Sequence, residues 1–218
     1  MNYFCNKKRH CLLHVLSVAI MAAMMISLVS FRGKDQNAVE ARKVFDHTYN
    51  MVYGPQGSTL HYDINIIGVL KTNGTIWYKG KKSRFVESRF LSWNDGVKEY
   101  WVDEKKRTVT IYDSGSPKND KYISKFSFNR ENYNYSMETT RDIYTITLEA
   151  RKNVKGVKHA KVIIDRKTRA PKYLKIKVLW FWTTVNISNF KSGNVSDNNF
   201  KFPSDKYKSY KIIDERGK

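Results

Sequence analysis

The sequence predicts an α+β fold: a large curved antiparallel sheet, an incomplete half-open β-barrel, covered by an N-terminal helix. Three observations carry that prediction. Beyond an N-terminal apolar run, one stretch has helical spacing, whereas apolar and polar residues alternate over most of the remainder. Turn residues interrupt the alternation at short intervals, which suits antiparallel neighbours, because parallel strands need long crossovers. The 218 residues are 41% hydrophobic and 14% aromatic, enough bulk for the core of one domain and too much for a disordered chain.

From the N-terminus, Lys7, Lys8 and Arg9 precede a nearly unbroken apolar run over residues 11–31. A basic start followed by an apolar stretch is the pattern of a secretory signal, and about 20 apolar residues also suffice to span a bilayer. Two readings of residues 1–31 therefore stand: a signal peptide cut after Ser30 or Ala38, or a retained anchor helix. Cys5 and Cys11 are the only cysteines, so no disulfide is expected in the body. No cysteine follows the run, and the lipobox of a bacterial lipoprotein is missing.

Val39, Val44, Phe45, Tyr49 and Val52 predict an amphipathic helix over Ala38 to Tyr53, ended by Gly54-Pro55. Leu60, Tyr62, Ile64 and Ile66 then alternate with polar residues, as in a strand with one buried face. Thr72-Asn73-Gly74 is expected to turn the chain into a second strand around Ile76-Trp77-Tyr78, since Asn-Gly tolerates the positive φ of tight hairpins. Further strands fall at Arg84 to Phe90, Glu99 to Asp103 and Thr108 to Tyr112, joined by Asn94-Asp95-Gly96 and Glu104-Lys105-Lys106. Ser114 to Asp120 has loop chemistry, and Tyr122 to Asn134 reads as a short helix or a covering segment. Alternation returns at Tyr144/Ile146/Leu148, Val162/Ile164, Leu174/Ile176/Val178 and Val185/Ile187, with Asp165-Arg166-Lys167-Thr168 as a turn. These make roughly nine or ten strands, and a sheet of that size must curl or be covered.

Lys and Arg number 40 against 20 Asp and Glu, a formal net charge of +20. Phosphate contacts need such residues, but here they are spread along the chain, with no basic helix, zinc-ligand spacing or RNA-binding aromatic motif. No nucleic-acid partner is expected; a solvated basic surface, or attraction to anionic membranes or partners, accounts for the charge. His47, His61 and His159 have no metal-ligand spacing, so neither metal nor cofactor is expected. Glu87, Asp95, Glu99, Asp103 and Glu104 read as solvated acids at strand ends and turns, and no nucleophile elbow or phosphate loop occurs. The expectation is a protein without catalytic residues.

Several segments share an order with a known family. They are Gly74-Thr75-Ile76-Trp77-Tyr78-Lys79-Gly80, Ser83-Arg84-Phe85, Asn94-Asp95-Gly96 followed by Tyr100-Trp101, and Val109-Thr110-Ile111-Tyr112. Tyr144-Thr145-Ile146-Thr147-Leu148, Val162 to Thr168, Pro171 and Phe200-Lys201-Phe202-Pro203 continue it. Over residues 38–214 this order resembles the outer-membrane lipoprotein carrier proteins, the LolA-like family. The resemblance implies a LolA/LolB-like half-barrel that holds the acyl chains of lipoproteins in the periplasm of a Gram-negative-type bacterium. It also implies an inner-membrane release complex and an outer-membrane receptor as partners. Arg84 is the candidate for the arginine that latches the family's helical lid. A monomer is expected. Exposing an acyl chain to water costs roughly 0.8 kcal/mol per CH₂, so such a carrier needs an apolar trough.

The alternation gives the candidate acyl-contacting set: Leu60, Tyr62, Ile64, Ile66, Phe85, Tyr100, Val102, Val109, Ile111, Ile146, Leu148, Val162, Ile164, Leu174, Ile176, Val185 and Ile187. A filled core and an open trough share this pattern, so both readings stand for each member. Trp180-Phe181-Trp182 puts aromatics on both faces of a strand, as at a membrane-facing rim or an edge packed under the helix. The alternative function is a membrane-tethered envelope sensor or scaffold of the same fold that binds a partner protein.

Overall fold

The computed structural model describes residues 35–66, 70–116, 118, 129–178 and 180–217. The expected signal or anchor over 1–31 and most of the stretch beginning at Tyr122 lie outside them. No helix among the described residues is long and apolar enough to cross a membrane.

Helix α1 occupies residues 35–53. Ala41, Val44, Phe45, Thr48 and Val52 form its buried stripe, the spacing of one helical face. It stops at Gly54, whose N–H donates to the Asn50 carbonyl at 2.8 Å. A Cβ there would lie 2.3 Å from that oxygen, so the stop admits only glycine.

Twelve strands follow: β1 (Ser58–Ile66), β2 (Leu70–Lys79), β3 (Lys82–Glu87), β4 (Leu91–Asn94), β5 (Lys98–Asp103) and β6 (Thr108–Asp113). Then come β7 (Tyr133–Thr139), β8 (Ile143–Ala150), β9 (His159–Asp165), β10 (Pro171–Val178), β11 (Phe181–Ser192) and β12 (Lys211–Asp214). They form one open sheet in the order β12-β6-β5-β4-β3-β2-β1-β11-β10-β9-β8-β7. All neighbours are antiparallel except β12, which lies parallel to β6. The antiparallel sheet beneath one N-terminal helix is the architecture expected, with more strands.

Four expectations are corrected. Arg84 to Phe90 is not one strand, because the chain turns after Glu87 and returns as β4. Tyr133 and Asn134, expected in a helix or covering segment, begin β7. The C-terminal β12 is a strand beyond those the alternation predicts. Thr72-Asn73-Gly74 is not a turn: all three lie inside β2, with Gly74 opposite Tyr62. Glycine belongs there for closeness rather than for φ, since a Cβ would stand 3.1 Å from the Tyr62 ring and 2.7 Å from the Val86 carbonyl. The expected turn chemistry is present elsewhere. Asn94 Oδ1 accepts from Gly96 N–H, and Asp165 Oδ1 accepts from the N–H groups of Lys167 and Thr168.

Directly opposed residues of antiparallel strands share a face. The row Leu60, Ile76, Phe85, Ser92, Trp101, Thr110 therefore defines the face toward α1. Ile64, Val185, Leu174, Val162 and Ile146 extend that face across the other half. Trp77, Arg84, Trp93, Tyr100 and Ile111 define the opposite face. Helix α1 packs on the first face through Ala41, Val44 and Phe45, against Tyr133, Tyr135, Ile146 and Leu148. On the opposite face the C-terminal segment brings Phe202, Tyr207 and Tyr210 onto Trp93, Val102 and Val109. The sheet thus has a separate cover on each face, at different strands.

Candidate functional site

Between α1 and the sheet lies an apolar cavity of about 270 Å³. The helix contributes Phe45, Thr48, Tyr49, Val52 and Tyr53 as its roof. Eight members of the sequence-derived set form walls and floor: Leu60, Tyr62, Leu148, Val162, Leu174, Ile176, Val185 and Ile187. Ile76, Tyr78, Val157, Ala160 and Pro171 complete it. Ile76 and Tyr78 follow from the alternation of β2, whereas the roof residues could be found only by knowing which helical face meets which strands.

The remaining members of the set do not line this space. Ile146 and Ile164 are fully buried core residues, and Phe85 and Ile64 pack beside the cavity around Tyr62 and Ile76. Of Ile66 only its strand pairing with Leu70 is described. Tyr100, Val102, Val109 and Ile111 stand on the opposite face, which corrects their assignment to the trough. Alternation distinguishes two faces but not which of them is inward. In β4 to β6 both are covered: Ser92, Asn94 and Glu99 are buried on one face, Trp93, Val102 and Val109 on the other.

Arg84 is corrected in the same way. Its guanidinium lies over the rings of Trp77 and Trp93, at 5.0 and 5.4 Å, on the face away from α1. Burial lowers its pKa from the ordinary arginine value. The arginines that fasten α1 are Arg42 and Arg130. Arg42 Nε donates to Asp46 at 2.7 Å and Nη2 to Glu131 at 2.5 Å, while Arg130 Nη1 donates to Asp46 at 3.0 Å. Arg42 also lies over the Tyr135 ring, and Arg130 over Tyr49. The hydrogen bond from Arg42 holds the Glu131 carboxyl below the usual range. Burial beside these charges pushes the Tyr135 hydroxyl up to about 12. Asn37 adds a second fastening: its amide exchanges hydrogen bonds with the backbone N–H and carbonyl of Met137, both at 2.9 Å, on edge strand β7.

A polar group closes the cavity beside β2 and β3. Tyr62 donates from its hydroxyl to Glu87, whose buried carboxylate also pairs with Arg89 at 2.5 Å. The ring of Tyr62 thus faces apolar space while its polar tip is satisfied. A larger and more open depression, about 750 Å³, is lined by Asp63, Asn65, Lys71, Thr72 and Asn73 together with Ile64 and Trp182, a mixed surface rather than an apolar trough. Among the described residues no group of three or more His, Cys, Asp or Glu could hold a metal ion.

No family model matches the chain, and no curated protein matches it. Solved structures are similar to it. A conserved protein of Thermus thermophilus has a TM-score of 0.53 at 10% identity, covering 81% of this chain and 99% of that one. A domain from Vibrio parahaemolyticus assigned to outer membrane lipoprotein sorting has a TM-score of 0.44 at 12% identity, covering 79% and 100%. A LolA superfamily protein of Nitrosomonas europaea has 0.37 at 8%, covering 74% and 97%. The first of these likenesses concerns the fold alone.

Proposed function

We propose that this protein is a non-enzymatic carrier that takes acyl chains of lipoproteins into the cavity under α1 and shuttles them across the periplasm toward the outer membrane. The observation that carries the reading is the lining: apolar side chains from six strands and one helix converge on unfilled space. Ordinary cores close such space, because packed interiors leave few voids larger than a water. About 270 Å³ lies just below the range of small-molecule pockets and suits part of one acyl chain. Export by the N-terminal segment, an inner-membrane donor and an outer-membrane receptor belong to the same proposal. They rest on the resemblance to the LolA-like family.

The test is native mass spectrometry with lipid extraction on protein purified from a bacterial envelope fraction. Acylated peptide or lipid should accompany the chain in near-stoichiometric amount. It should be lost from Leu174→Asp and Ile187→Asp variants that keep the wild-type circular dichroism spectrum. A compact wild-type protein that carries none, and takes up none from detergent, would overturn the carrier and favour the partner-binding scaffold.

A further inference from the structure

Basic residues and tryptophans gather at one end of the sheet. Glu149 pairs with His159, and Ala160 pairs with Ile176, just before the Val178–Phe181 pair that closes β10 and β11. The connection 151–158 and the β10–β11 turn therefore project from the same end. That connection carries Arg151, Lys152, Lys155 and Lys158 and no acid. All four are exposed, as is Lys177 beside the turn.

Elsewhere the acids recruit lysines: Asp165 holds Lys172, and Asp197 holds Lys79 and Lys82. Among the described residues none of the five cations at this end has such an ion pair. Glu149 is the nearest acid along the chain, and it faces His159 across the strands. Trp180 stands at the turn, 82% exposed, with Phe181 edge-on at 6.5 Å. Trp182 follows, 42% exposed, with Lys161 Nζ 5.7 Å above its ring.

We infer that this end of the sheet docks on an anionic lipid surface, Trp180 entering the boundary between headgroups and acyl chains while the five cations meet lipid phosphates. An acidic protein would also answer the charge. The indole, however, sits on a projecting turn rather than in a groove, and a ring with one polar N–H suits a membrane interface. Unpaired cations around such an anchor are the arrangement that anionic lipid attracts. Ile176, which lines the cavity, lies four residues before Trp180 in the same hairpin. Docking this end brings the cavity toward the membrane, whatever the cavity holds.

The test uses the chain as purified from cells and vesicles whose acyl chains are brominated, since bromine quenches indoles that reach the acyl region. The five tryptophans are Trp77, Trp93, Trp101, Trp180 and Trp182, so an N-terminal anchor contributes no signal. Brominated phosphatidylglycerol vesicles should quench the wild type, and Trp180→Phe with Trp182→Phe should remove most of that quenching. Lys152→Gln, Lys155→Gln and Lys177→Gln together should weaken the apparent affinity by at least about tenfold, and so should salt of about 0.5 M. All the substituted side chains are exposed, so the circular dichroism melt should not move. Equal quenching by phosphatidylcholine and phosphatidylglycerol would overturn the inference and leave the patch to a protein partner. Undiminished quenching of the double tryptophan variant would overturn it as well.

Discussion

Gly74 shows how a single residue carries two incompatible readings. Next to Asn73 it looks like a hairpin turn, yet the pairing of β1 with β2 runs through it without a break. What requires glycine is β3 first, where the Val86 carbonyl and Glu87 Cβ would stand 2.7 and 2.9 Å from a Cβ, and then, at 3.1 Å, the Tyr62 ring, whose hydroxyl donates to the buried Glu87 carboxylate. A side chain at position 74 would push that ring off Glu87 or force β2 and β3 apart. Gly74→Ala should therefore destabilise the protein by about 1–3 kcal/mol, the usual cost of overpacking. Urea unfolding measures this directly, and Phe substituted for Tyr62 in the same background should recover part of the loss if the hydroxyl contact is what the methyl disturbs. The sequence displays the turn chemistry of Asn-Gly but not the cross-strand neighbour, because neighbours about a dozen residues away leave no local signal.

At the scale of elements, most of the sheet is legible in the sequence and its covers are not. Period-two runs such as Leu60 to Ile66 and Leu174 to Val178 become strands because one face is buried and alternation records that asymmetry. β4 is hidden because four residues are too few for a period, and β12 because it is exposed on most of its length. The helical cover is legible, but the resemblance places its fastening at Arg84, on the wrong face. Arg42→Ala should loosen α1, since it removes the ion pair to Glu131 and the hydrogen bond to the Arg130 carbonyl, both outside the helix. Glu131 is exposed and solvent screens such a pair, so the expected signal is faster hydrogen exchange along α1 rather than global unfolding. Arg84→Leu should leave α1 exchange at the wild-type rate. The C-terminal cover has its own device. Asp197 bridges Lys79 and Lys82 at 2.9 and 2.8 Å, and these bonds, Lys82 first, lower its pKa to about 2. An unfolded aspartate takes up its proton near about 3.9, so the unfolded state binds protons first on acidification. The stability that Asp197 contributes is complete above about pH 5 and falls away toward about pH 2. Asp197→Asn should flatten that part of the stability–pH curve, measured by urea midpoints, while leaving the slope above about pH 5 unchanged.

The whole molecule poses the question that alternation leaves open, whether the apolar face is a filled core or a trough. It is both, divided by position. Toward β7 the face is solid, with Tyr133 and Ile146 buried against Ala41 and Val44. Beneath the C-terminal half of α1 the strands β1, β2, β9, β10 and β11, with Leu148 of β8, leave about 270 Å³ open. A volume of roughly nine waters, at about 30 Å³ each, holds less than one long acyl chain. On the proposed carrier reading, loading a whole chain would require α1 to lift against the ion pairs of Arg42 with Glu131 and Arg130 with Asp46. Val185→Phe separates cavity from core. Val185 is only half-buried and borders the open volume, so an aromatic ring can extend into empty space rather than into packed neighbours. Filling a void of this kind commonly adds about 0.5–2 kcal/mol. The variant should melt at or above the wild-type temperature and lose at least about tenfold in affinity for a fluorescent fatty acid. A lower melting temperature would mean that the space at Val185 is already occupied by packing, and unchanged uptake would place the acyl chain somewhere other than under α1.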